Sequence, residues 1–127
     1  MKIYREKLLD YYKHPRCWGE IEEKGDGGVV MGTEKSNVSC GDKIKIKLRV
    51  KEGIVEKARF EGEGCAVSLG TTSMLMEKIE GKKVEEVLKW NSEETMKNLS
   101  GEIGGGRRKC QMLGWETLME LLDKKVK

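Results

Sequence analysis

Apolar and polar residues alternate without a break from Lys43 to Val50. Ile44, Ile46, Leu48 and Val50 fall on one face, and Lys43, Lys45, Lys47 and Arg49 on the other. A period of two is that of a half-buried β-strand. Glu52-Gly53 supplies a turn, and the apolar, partly branched stretch from Ile54 to Phe60 returns as an antiparallel partner. A hairpin with a solvated basic face follows. Upstream, Val29-Val30-Met31 interrupts the glycine-rich polar stretch from Gly19 to Ser39 and reads as a strand at a sheet edge.

Elsewhere the spacing is helical. Tyr4, Leu8 and Tyr11 share one side of a helix from Tyr4 to Lys13, which stops at His14-Pro15 because a residue before proline is driven out of the α region. Ala66 to Glu80 is a second helix ended by Gly81, with Val67, Leu75 and Ile79 at helical spacing. Ser68, Gly70, Thr71, Thr72 and Ser73 make it thin and lower its intrinsic propensity, so burial flat against the sheet has to hold it. Lys83 to Trp90 and Ser92 to Leu99 read as short helices, the second opened by Ser92 with acidic residues in its first turn. Gly101 and Gly104-Gly105-Gly106 open a loop. Met112, Trp115, Met119, Leu122 and Val126 then step by three and four opposite Glu116, Glu120, Asp123 and Lys127, an amphipathic helix beginning at or near Cys110. Strands first and helices afterwards predict an α+β fold, a small antiparallel sheet with helices packed on one face. The 127 residues suffice for a single domain, 1–127, whose core needs no disulfide.

Composition narrows the function classes. Charged residues are 37% of the chain, mean hydropathy is −0.61, and no apolar run approaches the roughly 18 residues of a membrane span. The N-terminal MKIYREKLLDYY has neither the apolar core nor the cleavage site of a signal peptide, so a cytoplasmic location is expected. The net charge of +3 arises from 25 basic and 22 acidic residues interspersed along the chain, without the basic stripe and stacking aromatics of a nucleic-acid binder. Four cysteines in a reducing compartment point to metal or redox chemistry rather than disulfides.

Three of the four sit at element ends. Cys40 precedes a strand in Ser39-Cys40-Gly41-Asp42, Cys65 joins a strand to a helix, and Cys110 joins a loop to a helix. Pairing of the hairpin brings the residue before its first strand to the residue after its second, which makes Cys40 and Cys65 neighbours. Helix N-termini lower the pKa of a thiol and favour the thiolate at Cys65 and Cys110. Gly41 and Gly64 let the backbone come close to a bulky group. Asp42 points back towards the same place as a candidate fourth, oxygen ligand. Three thiolates and a carboxylate suit tetrahedral zinc, and thiolate-rich sites equally suit iron–sulfur clusters. The alternative is that these are ordinary buried cysteines.

Read together, Tyr11-Tyr12-Lys13-His14-Pro15-Arg16, Ser39-Cys40-Gly41-Asp42, Ala58-Arg59-Phe60 leading to Gly64-Cys65, the small-residue helix Ser68 to Ser73, and Lys109-Cys110 occur in an order and spacing that resembles the IscU-type iron–sulfur cluster assembly scaffolds, with the SufU proteins and the N-terminal domain of NifU. The resemblance implies that Cys40, Cys65 and Cys110 ligate a 2Fe-2S cluster or accept sulfur from a cysteine desulfurase. It implies that Asp42 takes part in cluster binding and release, and that apoproteins receive the cluster. A cluster shared between two copies of the chain is compatible with it. The chain departs from the IscU pattern where a histidine usually precedes the third cysteine, since Lys109 stands there, and this strengthens Asp42 as fourth ligand. It has Glu102-Ile103-Gly104-Gly105-Gly106 where IscU proteins carry the Leu-Pro-Pro-Val-Lys motif read by a dedicated Hsp70 chaperone. Lys109 is SufU-like, yet the interval from Cys65 to Cys110 lacks the SufU insertion. The implied activity is that of a scaffold and not an enzyme; the alternatives are a SufU-like zinc-dependent sulfurtransferase and a structural zinc site.

Other residues with ligand chemistry read more simply. Cys17, beside Trp18, is a packing residue, and His14 before Pro15 is a capping or surface residue. Met74, Met76, Met112 and Met119 are gap-filling groups rather than copper ligands. Gly104-Gly105-Gly106-Arg107-Arg108 lacks the preceding strand and the ending of a phosphate loop; it is expected to be a loop whose basic residues face an acidic partner.

Overall fold

The computed structural model describes residues 2–22, 27–37, 41–104 and 107–126, with side chains outside 2–4, 37 and 123–126. Its elements run α1 (Lys2–Lys13), β1 (Val29–Asn37), β2 (Asp42–Lys51), β3 (Ile54–Glu63), α2 (Ala66–Ile79), α3 (Val84–Leu88), α4 (Ser92–Ser100) and α5 (Arg108–Val126). The strands form one antiparallel sheet in the order β1-β2-β3, and the helices pack on one of its faces, as the α+β expectation has it.

The alternation of β2 sets the architecture. Ile44, Ile46 and Leu48 are wholly buried against Phe60, Ala58 and Val55 of β3, each large side chain contributing about 1.5–3 kcal/mol of burial. Between the two strands Glu52 and Gly53 both take positive φ, 53° and 77°, the backbone that matches the twist of a two-residue hairpin. Helix α2 lies over β3, and α5 over β1 and β2, while α1 and α4 pack against α2 from outside. Met74, Leu75, Met76 and Ile79 of α2 meet Leu113, Leu118, Leu121 and Leu122 of α5 in a continuous core.

Four expectations are corrected. The edge strand β1 is nine residues, not the three of its apolar run, because Thr33 to Asn37 are held by pairing with β2 (Thr33 opposite Ile46, Asn37 opposite Asp42). The basic face is not uniformly solvated: the Arg49 side chain is 1% exposed, paired with Glu56 and packed where a Cβ on Gly28 would stand. Asn91, not Ser92, caps α4, its side chain accepting from Glu94 N at 2.9 Å. The buried side of α5 is broader than the predicted stripe: Leu113, Leu118 and Leu121 are buried and Met112 and Met119 only partly so, since α5 is pressed by the sheet on one side and α2 and α4 on the other.

The turn after α1 returns along the outer edge of β3, where Phe60 N donates to Cys17 O (2.8 Å) and Gly19 N to Phe60 O (3.1 Å). Glu20 then crosses the basic face to Lys45 and Lys47. The ion pair with Lys47, foremost, pushes its carboxyl down to about 2.

Candidate metal centre

β2 and β3 end together because Lys43 pairs with Glu63, which puts Asp42, at the start of β2, beside Cys65, two residues past β3. Asp42 is 3% exposed. Its Oδ1 accepts from Cys65 N at 3.3 Å, and its Oδ2 lies 3.9 Å from Cys65 Sγ. Gly64 makes this approach possible, since a Cβ there would stand 2.7 Å from Asp42 Oδ1 and 2.6 Å from Ser68 Oγ.

Cys65 is the N-cap of α2. The neutral thiol caps no backbone N–H, but the thiolate would face those of Val67 and Ser68. Burial pushes the Cys65 thiol up; hydrogen bonds from Ser68, from the Cys110 thiol and from Val67 N–H outweigh it and hold the group below the ordinary thiol range. The hydroxyl of Ser68 donates to Cys65 O at 3.1 Å and lies 3.8 Å from Cys65 Sγ.

The third member comes from α5. Gly114, one turn past Cys110, carries no side chain where a Cβ would meet Thr72 Oγ1 at 2.2 Å, so α5 lies close enough to α2 for Cys110 to reach Cys65. The ligand atoms of Asp42, Cys65 and Cys110 all lie within 4.8 Å of one another, with Asp42 and Cys110 buried and Cys65 half-buried. Bonds of about 2.3 Å to a tetrahedral ion need ligand atoms about 3.8 Å apart, a contraction of less than about 1 Å. Two soft sulfurs and one hard oxygen, two of the three residues buried, fit zinc or the iron of a thiolate-bound cluster.

Sequence reasoning named four ligands, and the structure brings three of them together. Cys40 lies outside the described residues; its neighbour Gly41 leads directly into Asp42. Of the other candidates, Cys17 is half-buried with its thiol 3.8 Å from Glu80 Oε2, and burial, then the Glu80 charge, push it up to about 11. His14 is exposed at the end of α1. Met74 and Met76 belong to the core, and Gly105 and Gly106 lie outside the described residues. Sequence reasoning assigned no site role to Ser68, whose hydroxyl lies beside the Cys65 sulfur, or to Gln111, the residue after Cys110. Both are polar at buried positions, 0% and 2% exposed, and neither residue type signals a site on its own.

Known proteins resemble the chain over nearly its whole length. The chain is 33% identical to the iron–sulfur cluster assembly scaffold protein IscU of Thermotoga maritima over 96% of this chain and 94% of that one. It is 37% identical to the zinc-dependent sulfurtransferase SufU of Bacillus subtilis over 68% of this chain, though over only 54% of that longer protein. The crystal structure of a candidate iron–sulfur cluster assembly scaffold for the SUF system, from Fervidobacterium islandicum AW-1, superposes with a TM-score of 0.75 at 31% identity over 95% of this chain and 97% of that one. Among the described residues, no helix is long and apolar enough to cross a membrane. The NifU-like N terminal domain pattern matches residues 3–124, a span that takes in Asp42, Cys65 and Cys110, and the chain belongs to that family.

Proposed function

We propose that this protein is a scaffold on which a 2Fe-2S cluster is assembled from iron and from sulfur delivered by a cysteine desulfurase, and from which it passes to apoproteins. The observation that carries this reading is the convergence of Asp42, Cys65 and Cys110 within 4.8 Å at one end of the sheet, with Cys40 as the remaining ligand. The 127 residues act as one domain, in the cytoplasm, and two copies of the chain can share one cluster through the same ligands.

Cys65 is the sulfur acceptor. Its thiolate, favoured by the hydrogen bonds around it, attacks the sulfane sulfur of a desulfurase persulfide. A new S–S bond forms at Cys65 as the donor's S–S bond breaks, and the donor cysteine leaves as a thiolate; an external two-electron reductant then cleaves the Cys65 persulfide, releasing sulfide to the iron and restoring the Cys65 thiolate. Asp42 holds the cargo through oxygen, a poor match for iron that already carries thiolates, so an incoming acceptor thiolate displaces it first. The protein itself supplies acceptance, holding and handover without turning over a small-molecule substrate.

A second reading is favoured by one observation, the resemblance to a relative whose name is zinc-dependent sulfurtransferase. The same residues would hold a single zinc ion, and Cys65 would leave it to accept sulfur. Anaerobic reconstitution with iron and sulfide, followed by visible absorption and iron and zinc quantitation on the parent and on Cys65→Ser, separates the two. Thiolate-to-iron charge-transfer bands that vanish in the variant support the scaffold. A colourless parent retaining about one zinc per chain, the content of one tetrahedral site, supports the sulfurtransferase.

A further inference from the structure

Cys110 lies in the first turn of α5, where backbone N–H groups have no intrahelical acceptor and a helix is free to fray. Its neighbour Gln111 closes that turn on the rest of the molecule. Gln111 is 2% exposed, and its Nε2 lies 2.8 Å from Ser100 Oγ, 2.9 Å from Gly101 O and 3.3 Å from Met96 O. Two of these partners are carbonyls, which only accept, so the amide nitrogen must be the end that faces them. Ser100 Oγ also accepts from Thr71 Oγ1 at 3.0 Å. The single amide thereby ties α5 to the C-terminal end of α4 and, through Ser100, to α2, the helix that carries Cys65 on its N-cap.

Consecutive residues of a helix point about 100° apart. An amide that fixes the rotation of α5 about its axis at Gln111 therefore fixes the direction in which Cys110 leaves the helix. We infer that Gln111 is a positioning residue for the metal centre, holding the Cys110 sulfur at bonding distance from whatever Asp42 and Cys65 bind. The inference rests on the proposed metal-binding role of these three residues and adds the device that keeps the third in place. Gln111 touches no ligand atom in this role. It acts through the orientation of α5, as outer partners of metal ligands do elsewhere.

The test uses Co²⁺ alone as probe, titrated anaerobically into the metal-free 127-residue parent, Gln111→Met and Leu118→Ala. Methionine fills the volume of Gln111 without its donors. Leu118, wholly buried two turns along the same helix, is a control for lost stability without a lost clamp. In Gln111→Met the Co²⁺ dissociation constant is expected to rise about tenfold or more. The thiolate-to-cobalt charge-transfer intensity at saturation should fall by about a third, the share of one thiolate among three. Leu118→Ala should lower the thermal midpoint and leave both readings at parental values. If Gln111→Met does not fold, Ser100→Ala, which deletes one hydroxyl of the clamp, should show the same two changes at smaller size. Parental affinity and intensity in the clamp variant would overturn the inference, as would equal losses in Leu118→Ala. A parent without thiolate-to-cobalt bands would overturn the metal-centre reading itself, a result distinct from either.

Discussion

Cys65 and Cys17 are the same residue type in opposite surroundings. Cys65 sits at a helix N-terminus among hydrogen-bond donors that hold its thiol down against the cost of burial, while Cys17 is raised to about 11 by burial and the nearby Glu80 carboxylate. At about pH 8, iodoacetamide should therefore label Cys65 well before Cys17. A shift from 9.0 to about 11 cuts the Cys17 thiolate about a hundredfold in that range. Because a raised thiol pKa keeps the neutral form, labelling of Cys17 in the folded protein should go on climbing with pH and level off only near 11; equal rates at about pH 8 would contradict the assignment. Asp42 has a double role at this scale, accepting from Cys65 N and offering the hard oxygen of the ligand set. Asp42→Ala removes the most easily displaced ligand, so the reconstituted variant should hand its cluster to an apoprotein about tenfold more slowly. Transfer at the parental rate, followed by the colour change of the acceptor, would rule out a role in release.

The elements were readable from the chain to the extent that their own residues determine them. β2, the Glu52-Gly53 turn and β3 announce themselves through an unbroken period of two and a turn residue with no Cβ, and they appear where expected. β1 does not, because Thr33, Glu34, Lys35 and Ser36 have little apolar content; a strand of that composition exists by pairing with β2 rather than by burying a face. Sequence placed α5 correctly but misread its buried side, since a helix lodged between a sheet and other helices is covered over a wider arc than a surface helix. The contact between α5 and α2 rests on one missing side chain. Gly114→Val puts new atoms into Thr72 and should cost about 1–3 kcal/mol, read as a lowered urea midpoint; an unchanged midpoint would show that the two helices are not so close.

At the scale of the molecule, the sheet, α2 and α5 share one continuous apolar core among the described residues, built from side chains other than Asp42, Cys65 and Cys110. Metal-free protein should accordingly keep its far-UV helical signal and unfold cooperatively. Restoring metal should add about 3–4 kcal/mol of apparent stability at a few hundred times the dissociation constant; collapse of the helical signal on chelation would instead mark the ion as a structural staple. The chain by itself determined the order of elements, the hairpin, and the placement of Cys65 and Cys110 at helix starts, because periodicity, turn chemistry and cap positions are local properties that neighbouring residues suffice to set. Tertiary structure alone decided that Cys110 joins Asp42 and Cys65, and that Gln111 locks α5 to α4. Those facts depend on how closely helices separated by long stretches of chain approach one another, a distance set by packing between elements, as at Gly114 and Thr72, and carried by no segment of the sequence alone.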